Sequence, residues 1–317
     1  MKAWKYLLAA VVFMVGWVGT AAAQSSADPA LLQIVTQAFE KTRASASLHI
    51  ERQSIIEITG AQQSLSQQES ASYDAAQGAK GWNLAGKQTS TFTLQDIEIA
   101  STIETVILDG VVYLRLTGQR GGFLSGARQD TQNAPSQPEG WFEASQLSAG
   151  QGAPPAGRSG MASADNALGI LLLPVSADSA LTITELPTDT ISGQAMRVFQ
   201  VTIDPQAAIE AGFGGLMMNA GSGLSGRQFN ADPNVAPPDV TPGAEGALQG
   251  VPAMLNPENL QITFAAYIGQ DDGYIHRIYS VVSTLSDAAP GQVIATSITD
   301  FSAFDAPVTI TAPEIGS

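Results

Sequence analysis

Between Thr102 and Leu116 the chain reads TIETVILDGVVYLRL, two runs rich in β-branched residues on either side of Asp109-Gly110. An Asp-Gly pair between such runs is the strongest short hairpin signal, because a type I′ turn needs φ > 0 at both central residues. The turn sets the register: Leu108 opposite Val111, Val106 opposite Tyr113, and Glu104 opposite Arg115 as an opposite-charge pair. Ile103, Thr105 and Ile107 then share a face with Val112, Leu114 and Leu116. That face is nearly all apolar and must lie against something apolar, so the hairpin belongs to a large antiparallel sheet with one greasy side.

The same alternation recurs along the chain. Leu48–Thr59 predicts a first strand, with Leu48, Ile50, Ile56 and Ile58 on one face and His49, Glu51, Gln53 and Glu57 on the other. Residues 61–80 are polar and predict a weak outer strand with loops. Trp82–Ile99 predicts one or two strands, with a change of parity near Gln95 that suggests a bulge. Ala180–Leu186 and Ala195–Ile203 predict strands around a turn at Thr188–Ser192. Ile262–Ile268, Tyr274–Ser283 and Val293–Phe301 close the chain, with a short strand at Val308–Thr311. Nine to eleven strands result.

Helical spacing appears in fewer places. Asp28-Pro29 is a helix start, a capping carboxylate followed by proline in the first turn. Leu31, Ile34, Val35, Ala38 and Phe39 then predict an amphipathic helix over 30–43. Residues 163–173 predict a short buried helix ended by Pro174. Asp204-Pro205 repeats the helix start ahead of an apolar stretch through Phe213, Leu216, Met217 and Met218. Strands followed by segregated helices make the class α+β: a wide curved antiparallel sheet with helices on one face.

Composition adds the compartment. Lys2 and Lys5 precede an apolar run over Tyr6–Val18 and an Ala21-Ala22-Ala23 site, the pattern of a cleaved secretory signal over residues 1–23. The remainder carries 12 basic and 29 acidic residues, a charge of −17, once Lys2 and Lys5 are removed from the 14 basic residues of the whole chain. Such acidity disfavours nucleic acid and anionic membrane surfaces. The chain has no Cys, which points to a bacterial envelope rather than a disulfide-stapled fold. It also removes any N-terminal thioether lipid.

Candidate chemistry is sparse. The two histidines, His49 and His276, sit in separate strands. Asp271-Asp272-Gly273 lacks the spaced acids of a calcium loop and reads as a hairpin turn. No G-x-S-x-G and no phosphate-binding glycine loop occurs. No catalytic residue, metal or cofactor is implied. What remains is apolar: the hairpin face, residues 166–173 and residues 213–218 supply more grease than a core needs, so an internal apolar cavity is the candidate site. Periodicity assigns its lining to Ile107, Val112, Leu114, Leu172, Phe213, Leu216 and Met217.

The order of elements also resembles a known family. Signal, amphipathic helix, SLHIE, DGVVYLRL, GWFEAS and the ending DFSAFDAPVTITAP are similar to the LppX/LprG-type mycobacterial lipoproteins, which share the half-barrel of the LolA and LolB carriers. Asp300-Phe301, Phe304, Pro307-Val308-Thr309-Ile310 and Pro313 carry most of the likeness. The resemblance implies one half-barrel domain over 24–317, with helices on the concave face; the Gly- and Pro-rich flexible inserts at 119–140, 146–162 and 220–256 depart from it and make this chain longer than the family pattern. It implies an extracytoplasmic, non-enzymatic carrier of lipids or lipoprotein acyl chains, with only peripheral membrane contact. The family's lipid-bearing Cys is absent. The alternative is an envelope sensor or protein-interaction module on the same fold, with envelope proteins as partners and no lipid cargo.

Overall fold

The computed structural model describes residues 28–60, 64–94, 97–118, 140–145, 168, 171, 175, 180–205, 260–284 and 291–315. Eleven strands form one open antiparallel sheet in the order β6-β5-β4-β3-β2-β1-β11-β10-β9-β8-β7. One wing runs outward from β1 (Ser47–Gly60) through β2 (Ser64–Gly78), β3 (Gly81–Leu94), β4 (Ile97–Leu108), β5 (Val111–Gly118) and β6 (Phe142–Glu143). The other runs from β11 (Gly291–Ser302) through β10 (Ile275–Thr284), β9 (Leu260–Gly269) and β8 (Gln194–Ile203) to β7 (Ala180–Ile191). Each wing is a meander. The seam between them pairs β1 with β11, placing His49 opposite Ser302 and Ile50 opposite Phe301.

The central hairpin has the expected register, with Leu108 opposite Val111, Val106 opposite Tyr113 and Glu104 opposite Arg115. Asp109 (φ 50°) and Gly110 (φ 82°) both take the positive φ that a type I′ turn demands. Arg115 forms an ion pair with Glu104 and stacks over Trp141.

Helix α1 (Pro29–Arg43) starts where the Asp-Pro signal places it, Asp28 Oδ1 accepting the Ala30 N–H at 2.8 Å. Val35, Ala38, Phe39 and Thr42 are its buried stripe. They meet the inner face of the sheet in one continuous hydrophobic cluster that reaches from Ile107 in β4 to Ile183 in β7. Phe39 and Phe264, both 0% exposed, pack edge to face with centroids 5.8 Å apart. The Thr42 hydroxyl accepts the buried Ile275 N–H at 2.9 Å and donates to the Ala38 carbonyl at 2.8 Å. Leu168 and Leu171, the described residues of the 163–173 segment, are buried in the same cluster, as is Val175 beyond it.

Four local expectations need correction. The polar 61–80 stretch is not an outer strand: β2 is fifteen residues long and lies between β1 and β3. Pairing along both edges holds it where its own β-propensity is low. The parity change near Gln95 is a strand reversal rather than a bulge, since β3 ends opposite the start of β4 at Leu94 and Ile97. The turn after β7 falls at Ser192-Gly193 (φ 51° and 85°), because β7 runs on to Ile191 through an irregularity between Leu186 and Asp189. Val308–Thr311 is not a strand; the terminal segment makes one parallel bridge, Ile315 to Trp141. The inserts at 119–139, 146–162 and 220–256, and the signal segment, lie outside the described residues.

Candidate functional site

Among the described residues the inner face is covered unequally. On the β8–β10 wing Phe199, Val201, Ile203, Ile262, Phe264, Ala266 and Ile278 are buried beneath α1 and its neighbours. On the β3–β5 wing the cover thins. Ile107 is 5% exposed, but Trp82, Phe92, Ile103, Val112, Leu114 and Leu116 on the same face are only half-buried. The pairing makes this a contiguous surface: Ile107 lies between Leu84 and Val112, Ile103 lies opposite Leu116, and Leu114 lies opposite Phe142. Dimensions explain the imbalance. Eleven strands at about 4.8 Å spacing span roughly 50 Å, whereas a fifteen-residue helix is about 22 Å long and about 10 Å wide.

Of the residues assigned from periodicity, Ile107, Val112 and Leu114 therefore meet on one apolar wing. Leu172, Phe213, Leu216 and Met217 lie outside the described residues. Two concavities formed by described residues are lined by residues other than Ile107, Val112 and Leu114. One, about 410 Å³, is an open trough between α1 and the Val175 segment, bounded by Leu32, Thr36 and Val175. Thr36 donates to the Val175 carbonyl there at 3.2 Å. The other, about 190 Å³, is a polar hollow on the opposite face, between Gln53, Ser70, Thr89 and Thr296.

Register also exposes a feature that linear reading missed. Ser101, Ser90, Glu69, Ser54, Ser297 and Ser280 lie side by side across β4, β3, β2, β1, β11 and β10, on the inner face. They form a polar row between two apolar zones. One rung away, Arg52 pairs with Glu69, whose side chain is 8% exposed. Gln88 donates to Glu69 Oε2 at 2.7 Å and accepts from the Tyr73 hydroxyl at 3.0 Å. The Tyr73 ring passes over Gly86, where a Cβ would come within 2.4 Å of it. Burial pushes the Tyr73 phenol up to about 12, with the Glu69 charge adding to burial and Arg52 opposing it. Each strand contributes only one or two of these polar residues to an otherwise apolar series. No single strand announces the row.

A second polar cluster ties the end of α1 to the sheet. Lys41 donates to the Asp272 carbonyl and sits over the Tyr274 ring, which stacks on Phe304 at 4.4 Å. Asp272 Oδ2 takes hydrogen bonds from Gln194 and His276, both at 2.9 Å. Burial raises the Asp272 carboxyl, but the bonds from Gln194, the Tyr274 N–H and His276 together outweigh it and hold the group below its usual range. Asp305 is held low by the Ala46 N–H and then the Tyr274 hydroxyl. These contacts close on one another and present no open position. Among the described residues no group of three metal-ligating side chains comes together, and no helix is long and apolar enough to cross a membrane.

No protein-family model matches the chain, and no curated protein matches it. Solved structures do. The lipoprotein LppX of Mycobacterium tuberculosis is 13% identical, with 90% of this chain and 100% of that chain covered at a TM-score of 0.40. LprF from Mycobacterium bovis is 16% identical, with 91% and 99% covered at 0.40. A DUF1329 family protein from Desulfovibrio piger is 7% identical, with 90% and 96% covered at 0.23. LppX, one of the proteins whose order of elements this sequence resembles, is thus among the structures to which the folded chain is similar.

Proposed function

We propose that this protein is a non-enzymatic, extracytoplasmic carrier that shelters the hydrocarbon part of a lipid or other amphiphile against the inner face of its sheet. Residues 24–317 act as one half-barrel domain after loss of the signal. The observation that carries the reading is the unequal cover among the described residues: on the Ile107 side of the polar row an apolar surface crosses the sheet, buried on the β8–β10 wing and only half-buried along β3–β5 at Ile103, Val112, Leu114 and Leu116. Each methylene moved from water onto such a surface contributes about 0.8 kcal/mol, so an acyl chain binds through its length with little hydrogen bonding. Leu172, Phe213, Leu216 and Met217 complete the lining in this proposal.

The test is organic extraction of the purified protein followed by mass spectrometry, with uptake of a fluorescently labelled acyl chain measured in parallel. Leu114→Asp places a charge on the apolar wing and is expected to weaken uptake about tenfold or more while the fold persists. Clean extracts together with no uptake by the parent protein would refute the carrier and favour the envelope interaction module.

A further inference from the structure

Resting on that reading, we propose that the polar row is a head-group subsite, and that it selects amphiphiles with an uncharged, hydrogen-bond-donating head over fatty-acid anions. Gln67 is the pivotal residue. It lies on the inner face two residues from Glu69, opposite Ile56 on one side and Phe92 on the other. It is only 9% exposed. Its Oε1 is fully buried and meets no hydrogen-bond donor among the described residues. A buried acceptor without a donor is costly, and a hydroxyl or amide of a guest would satisfy it.

The neighbouring groups set the charge preference. Arg52 and Glu69 neutralise each other, and Gln88 spends its donor on Glu69. Ser280 and Ser297 bond each other at 2.7 Å. The row is therefore net neutral, with its one cation already against a carboxylate. A fatty-acid carboxylate has no proton to give Gln67 and would lie near the Glu69 charge. A glycerol or amide head has donors and no charge. The geometry also suits a chain with its head at one end: Ser101 precedes Ile103, Thr105 and Ile107 on the same face of β4, so a tail on the Ile107–Leu114 wing runs back into the row.

The experiment is competition for a bound fluorescent acyl probe by 1-monopalmitoylglycerol and by palmitate, at pH 7.5. The monoacylglycerol is expected to displace the probe at about tenfold lower concentration, the worth of one hydrogen bond that relieves a buried acceptor. In Gln67→Leu the ratio should fall towards one, through loss of the monoacylglycerol's advantage, while palmitate competes as before. Equal competition by the two lipids in the parent, or an unchanged ratio in Gln67→Leu, would overturn the subsite and leave the carrier standing. Failure of the parent to bind the probe at all would sink both.

Discussion

Thr42→Val asks whether α1 is stitched to the sheet by one hydroxyl. That hydroxyl accepts the Ile275 N–H at 2.9 Å and donates to Ala38 at 2.8 Å, and Thr42 and Ile275 are both 0% exposed. Valine fills nearly the same volume, so the cavity contribution is small. The Ala38 carbonyl lies within the helix, where the backbone also serves it. What is left is one buried N–H without a partner, costing about 1–3 kcal/mol. Thr42→Ser is the control: it keeps the bond, loses a methyl group and costs about 1 kcal/mol. Urea unfolding followed by circular dichroism should show a lower midpoint with an unchanged slope. For a loss of about 2 kcal/mol the melting temperature should fall by about 4–8 °C. Native-state hydrogen exchange adds a local readout, since the Ile275 amide should lose protection in the valine variant alone. Valine within about 0.5 kcal/mol of the parent, with that amide still protected, would show that the hydroxyl does not hold the helix.

Two further outcomes follow from the same contact region. Phe39→Ala and Phe264→Ala should each cost about 3–5 kcal/mol, with a coupling of about 0.5–1.5 kcal/mol in the double-mutant cycle; strict additivity would mean the rings do not pack as seen. Asp272 and Asp305 are both held below the usual aspartate range, so their contribution is present above about pH 4 and is lost as pH falls through the depressed folded values. Chemical denaturation between pH 6 and pH 2 should show a steeper acid loss in the parent than in a variant carrying Asp272→Asn and Asp305→Asn; parallel curves would contradict it.

Much of the sheet was legible because its signals are local. The Asp109-Gly110 turn, the Asp28-Pro29 helix start and the alternation in β1, β8 and β9 depend on residues close in sequence, and each appears where its chemistry requires. β2 was harder. Its inner-face residues include Ala71, Ala75, Gln67 and Glu69, a set too small and polar to show an alternating apolar signal; partners on both sides impose its conformation. The polar row was invisible for a related reason. It exists only across strands, and Ser54 and Ser297 are neighbours only because β1 lies beside β11. Val308–Thr311 failed the other way: the residues favour extension, but among the described residues no strand lies alongside to complete a ladder.

The β1–β11 seam has a consequence for how the molecule is made. Each meander closes short loops or single inserts, but the seam joins positions about 250 residues apart, such as His49 and Ser302. Loop-closure entropy rises with that separation, and non-local strand pairing forms slowly. Two half-sheets can therefore assemble early, each with one raw inner edge, and wait for the other. Until they meet, the half on which α1 rests, built from β7 to β11, stands without its partner wing. The slowest kinetic step should be the zipping of this one junction, and a chain stopped before residue 291 would be left with an unsatisfied β1 edge, open to pairing with its neighbours in solution.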